Sequence, residues 1–118
     1  PGLIEGGATA VMATSDLIAL GAHSRLSRAG LSVPGDVSLT GFDDLPLATA
    51  MHPELTTIAQ DVQTIAEHAL DVLARRIAGH APDEPSLAVP MRMVLRASTA
   101  APRARSRHKE TDQQGANS

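Results

Sequence analysis

Residues 9–44 dictate more of the fold than any other part of this 118-residue chain. Thr9-Ala10-Val11-Met12-Ala13 is a short apolar run of the kind that forms a buried strand. Thr14-Ser15-Asp16 follows. Ser15, or Thr14, offers a hydroxyl to an unpaired backbone N–H, and Asp16 places an anion in the first turn of a helix. Ile18, Ala22, Arg25/Leu26 and Ala29 recur at three- and four-residue spacing, which predicts an amphipathic helix over 17–29. Gly30 stands where a helix ends in a left-handed residue. Gly21, inside the helix, costs about 1 kcal/mol against Ala, and close helix packing is its expected reason.

The next stretch, Val33 to Asp44, reads VPGDVSLTGFDD. Pro34-Gly35-Asp36 is a turn, and Val37 to Thr40 is a second short β-rich run. Gly41 ends it, and Phe42-Asp43-Asp44 sets the only Phe of the chain beside two carboxylates. Strand, helix, strand is a βαβ unit, parallel and right-handed in about 98% of cases. Both strands then point the same way, so Ser15-Asp16 and Asp43-Asp44 are expected to meet on one rim of the sheet. In open α/β sheets that rim is where ligands bind.

Leu45 to Pro53 reads as a loop punctuated by Pro46 and Pro53, and Leu55 to Ile58 as a third short strand. The best helical pattern covers 61–78. There Val62, Ile65, Ala66, Ala69, Leu70, Leu73 and Ile77 form one apolar stripe, with Asp61 as N-cap and Gly79 past the end. Ala81 to Pro85 is turn-rich. Ser86 to Ala97 is mostly β-like, with Pro90 weakening its first half. Residues 1–7 read as a connector, and residues 103–118, almost devoid of apolar side chains, as a disordered tail. These elements make half of a doubly wound sheet. Little in the chain can cover the stripe of 61–78, so a companion subdomain is expected to lie outside it.

Composition narrows the chemistry. The chain is 42% hydrophobic yet has no Trp, no Tyr and a single Phe, so its core must be built from aliphatic residues, each burying less area than an aromatic ring. The net charge is -3, which argues against a nucleic-acid binder. Arg103, Arg105, Arg107 and Lys109 concentrate positive charge in the tail, but no aromatic is interleaved with them for base stacking. There is no cysteine, hence no disulfide or thiolate metal site. No apolar run approaches the roughly 18 residues of a membrane span, and PGLIEGG lacks the features of an export signal. No membrane association and a cytoplasmic location are expected. The start at Pro1 suggests a fragment.

No catalytic motif stands out. His23, His52, His68, His80 and His108 are scattered without ligand spacing. The serines lack a GxSxG setting, and there is no GxGxxG or Walker loop. Asp43-Asp44 could form a general-base pair or half of a magnesium site, although no metal-ligand cluster accompanies it. Neither a metal, a cofactor nor an enzymatic activity is expected.

Four segments in register resemble one family. Ala13-Thr14-Ser15-Asp16-Leu17-Ile18-Ala19-Leu20-Gly21 resembles AxNDxxAxG. Residues 30–44, ending in Val33-Pro34-Gly35-Asp36-Val37-Ser38-Leu39-Thr40-Gly41-Phe42-Asp43-Asp44, resemble GxxVPxDVSVxGFDD. Leu55-Thr56-Thr57-Ile58-Ala59-Gln60 resembles LTTIxQ, and Leu95-Arg96-Ala97-Ser98-Thr99 resembles the closing LxxRxST. Their order matches the C-terminal part of the lactose-repressor/galactose-repressor (LacI/GalR) family of bacterial transcription regulators, over about residues 8–102.

The resemblance implies an α/β fold: the Rossmann-like, parallel-sheet half of a periplasmic-binding-protein type I sensor domain. It implies a small-molecule effector, sugar-like, gripped between two subdomains. It also implies a homodimer in the complete protein, and operator DNA bound by a helix-turn-helix that this chain lacks. Carried over residue by residue, Asp43 matches the effector-contacting aspartate. Ser15 stands where the family often has Asn, Asp16 is retained, Gln60 matches a position near effector and hinge, and Phe42 matches the motif's aromatic. Leu17, Leu20, Ala22, Leu47 and Met51 fall in segments that match the dimer interface. The chain crosses between subdomains near Gln60, so the helix at 61–78 would pack on the missing half. A sugar-binding protein of an uptake system, or an inactive half-domain remnant, would share the fold.

Overall fold

The computed structural model describes residues 4, 6–80 and 88–102. The expected tail at 103–118 and the turn-rich loop at 81–85 lie outside them, as does most of the connector. Among the described residues the elements are β1 (Ala10–Met12), α1 (Asp16–Arg28), β2 (Ser38–Thr40), α2 (Leu47–Ala50), β3 (Thr57–Ala59), α3 (Val62–Ile77) and β4 (Arg92–Val94). β1 pairs with β2 in parallel, Val11 opposite Leu39, as the βαβ reading requires. β3 pairs with β4 antiparallel, Ile58 opposite Met93. Parallel bridges Thr40–Thr56 and Asp43–Ala59 tie the end of β2 to β3.

The helix boundaries follow from the caps. Ser15 Oγ accepts the Ile18 N–H at 3.2 Å and opens α1. Gly30, at φ 74°, ends it in the left-handed region. Asp61 opens α3 by accepting from Thr64 N at 3.0 Å and Thr64 Oγ1 at 2.7 Å, and these bonds hold its carboxyl below the usual carboxylate range. Gly79, at φ 83°, closes α3.

α1 and α2 cover one face of the sheet. Ala19, Leu39, Ala48, Met51 and Leu55 form the buried cluster, with Val11, Ala22, Val33 and Leu47 half-buried against it. Full burial of a Leu side chain contributes about 1.5–3 kcal/mol, so Leu39 and Leu55 anchor this small core.

Three expectations are corrected here. The segment read as a loop from Leu45 to Pro53 contains α2, because Ala48 and Met51 point into the core and Leu55 N closes back on Ala48 O at 2.8 Å. Met51 is therefore a core residue and not a surface available to a second copy. Gly21 has no packing reason among the described residues of this chain: a Cβ built there meets nothing within 4 Å.

Among the described residues nothing covers the other face of the sheet. Parallel sheets are normally covered on both faces. Here Met12 and Met93, 84% and 62% exposed, stand on the uncovered side. α3 buries none of its residues, and Val62, Ile65, Leu70, Leu73 and Ile77 of its stripe are all exposed.

Candidate functional site

The two polar clusters do meet on one rim. Asp16 N donates to Phe42 O at 2.8 Å, which joins the first residue of α1 to the turn that follows β2. Gly41 makes this approach possible: a Cβ there would collide with the Asp16 carboxylate and come within 2.8 Å of Leu55 Cδ2.

Asp43 and Asp44 both have positive φ, 107° and 54°. Such backbone is uncommon outside glycine, although Asp tolerates it better than most residues. The turn is held from several sides. Asp43 N donates to Ile58 O at 2.9 Å, and Leu45 N donates to Asp16 Oδ2 at 2.7 Å. The turn separates the two side chains by partner. Gln60 Nε2 donates to Asp43 Oδ1 at 2.9 Å, whereas Asp44 Oδ1 receives Arg96 Nη2 at 2.6 Å. Each carboxylate thus serves a different neighbour, which is unlike a shared metal site. Among the described residues no group of three His, Cys, Asp or Glu could hold a metal ion.

The five site candidates separate accordingly. Asp43 and Gln60 are half-buried, directly bonded, and on the rim. Among the described residues Gln60 is the one side-chain partner of Asp43, so its second carboxylate oxygen can accept from a ligand hydroxyl or N–H. Ser15 is half-buried on the same rim; its oxygen caps α1, and its hydroxyl proton stays available as a donor. Asp16 does not reach the surface. It is fully buried, and its two oxygens are taken by Thr57 Oγ1 at 2.6 Å and Leu45 N at 2.7 Å. A buried carboxylate is tolerated only when its lone pairs are satisfied, and Asp16 fastens three segments together. Phe42 lines a different hollow, of about 320 Å³, on the open sheet face with Met12, Thr40, Ile58 and Met93; neither Asp43 nor Gln60 lines it.

Sequence reasoning gave no role to Thr57, Arg96 or Ser98. Ser98 is buried; its hydroxyl donates to Leu39 O at 2.6 Å and accepts from Thr56 N at 2.8 Å, which pins the return segment between β2 and β3. All three residues stand inside the LTTIxQ and LxxRxST matches, which was the only available signal. Of the five interface candidates, Leu17 and Leu20 are exposed, 62% and 42%, on the outer side of α1, while Ala22 and Leu47 lie half-buried against the core.

Residues 3–99 match the family described as periplasmic binding protein-like domain. The lactose operon repressor of Rhizobium radiobacter is 35% identical over 95 residues, covering 80% of this chain and 83% of that sequence. The crystal structure of a lac repressor dimer, bound to operator and the anti-inducer ONPF, superposes with a TM-score of 0.71 at 35% identity, over 84% of this chain and 35% of that one. A LacI family regulator from Enterococcus faecium with bound ribose gives a TM-score of 0.71 at 34% identity, over 84% of this chain and 37% of that one. Against the HTH-type regulators of Streptomyces that it matches, the chain spans 28% of their length. A family match over most of the chain, a relative covered nearly end to end, and four sequence motifs in register agree: this chain belongs to the periplasmic binding protein-like domain family, in the sensor region of LacI-family transcription regulators.

Proposed function

We propose that the chain is the effector-sensing portion of a bacterial DNA-binding transcription regulator, and that it receives a sugar-like small molecule at Asp43. The observation that carries this reading is the Asp43–Gln60 pair on the carboxyl rim of the parallel strands. A carboxylate is a double acceptor suited to vicinal hydroxyls, and the Gln60 amide orients it while keeping an oxygen of its own as acceptor. Ser15 adds a hydroxyl donor on the same rim. The ribose bound by the Enterococcus faecium regulator supports a sugar-like ligand class.

The whole protein binds operator DNA through a helix-turn-helix outside these residues, as the names of the HTH-type relatives suggest. It acts as a homodimer through the outer side of α1, where Leu17 and Leu20 are exposed. α3 seats its stripe on the companion subdomain, and ligand closes the two halves. The protein works in the cytoplasm and carries no catalytic activity of its own. Among the described residues no helix is long and apolar enough to cross a membrane.

The test is a gel-shift assay with the whole regulator and its own promoter DNA, titrated with ribose, lactose and cellobiose. One sugar is expected to change operator affinity. Asp43→Asn is expected to weaken that response about 10- to 100-fold, the size of a lost hydrogen bond to a charged group. A sugar response that Asp43→Asn leaves intact would remove Asp43 from the site.

A further inference from the structure

The turn that presents Asp43 has one support from far along the chain. Arg96, two residues past β4, reaches back with both terminal nitrogens. Nη1 donates to Leu55 O at 2.8 Å and Nη2 to Asp44 Oδ1 at 2.6 Å, and the Arg96 side chain is only 13% exposed. The segment that delivers it is itself fixed, because Arg96 N donates to Thr56 Oγ1 at 2.9 Å and the next buried hydroxyl, Ser98, is pinned to Leu39.

The geometry constrains Asp43 in a particular way. The guanidinium is planar and its prongs are rigidly spaced, so it sets the distance from the entry of β3 to the Asp44 side chain. Asp44 follows Asp43 in a pair of positive-φ residues, a backbone that two non-glycine residues do not hold unaided. Asp43 then meets Gln60, which stands just past the other end of β3. Arg96 therefore grips the entry of the same strand whose far end carries the partner of Asp43.

We propose that Arg96 is a positioning residue for the effector site: its double grip on Asp44 and on the Leu55 carbonyl fixes the left-handed turn that aims Asp43 at Gln60. Only the functional consequence rests on the effector reading given above. Through this contact the return segment after β4 and the rim of the site move as one unit.

The test is the side-chain amide pair of Gln60 in ¹H–¹⁵N spectra of the 118-residue chain. Asp43→Ala marks the position of those resonances when the bond is lost. In Arg96→Lys, whose point charge cannot span both acceptors, they are expected to move more than half way to that position. A merely structural Arg96 would lower the melting temperature and leave the Gln60 amide in place; that result overturns the proposal. Should Arg96→Lys fail to fold, Asp44→Asn removes the charge with little change of shape, and the same two outcomes decide. The readout contains no ligand. An unmoved amide thus overturns the positioning role alone, whereas a sugar response indifferent to Asp43→Asn overturns the effector reading alone.

Discussion

A single methyl group added at Gly41 would meet the Asp16 carboxylate and Leu55, both fixed by their own partners. Gly41→Ala is therefore expected to destabilise the chain by about 1–3 kcal/mol through overpacking, read from urea unfolding. Asp16 carries more. Replacing it with Ala leaves Leu45 N and the Thr57 hydroxyl without their acceptor in a buried setting, and a loss of about 3 kcal/mol or more is expected in the same assay. A change within 0.5 kcal/mol would mean that the carboxylate is dispensable to the turn. The sequence revealed only half of this. Asp16 at the start of a helix is legible as a dipole partner, but its links to Leu45, 29 residues away, and Thr57, 41 residues away, are set by the folded chain. Arg96 was less legible still, as nothing local marks a cation for a partner 52 residues earlier.

The elements were legible where local chemistry determines them. Periodicity and caps placed α1 and α3 to within a residue, because Ser15, Asp61, Gly30 and Gly79 each perform a task that only their type does well. α2 was missed because four residues are too few to show a period, and its Pro46 was read as loop punctuation and not as a helix start. Gly21 leads to a test at this scale. With nothing near its Cβ position, Gly21→Ala is expected to stabilise the isolated chain by about 1 kcal/mol, measured by thermal unfolding. Destabilisation would show that this face of α1 is already packed in solution, as a dimer would pack it. α3 gives a pH test. It buries no residue and depends on local terms: the Asp61 cap, the Gln63–Glu67 hydrogen bond and the Asp71–Arg75 ion pair. The pKa of Asp61 is lowered in the folded state, so its contribution is present above the unfolded carboxylate pKa and is lost as pH falls through the folded value. Protection of the α3 amides, taken relative to their intrinsic exchange rates at each pH, should fall over that acidic window in the wild-type chain. Asp61→Ala, already without the cap, should show faster exchange at neutral pH and a weaker acid dependence. Equal pH dependence in both would remove the cap from the account.

At the scale of the molecule, the open features share one explanation. The uncovered sheet face and the wholly exposed stripe of α3 are apolar surfaces that a companion subdomain would cover, and under the proposed function the rim is one wall of a two-walled site. Specific small-molecule sites bury about 70–90% of their ligand, so the 118 residues alone are expected to bind ribose or lactose too weakly to saturate in calorimetry. Tight, saturable binding by this chain would contradict the two-walled site. The most direct measurement is to sequence the DNA upstream of the codon for Pro1. An in-frame extension that encodes the companion subdomain and, before it, a helix-turn-helix is expected. An extension that opens with an export signal would move the protein to sugar uptake, and a stop codon immediately upstream would leave half a sensor with no DNA-binding part; either result contradicts the regulator reading.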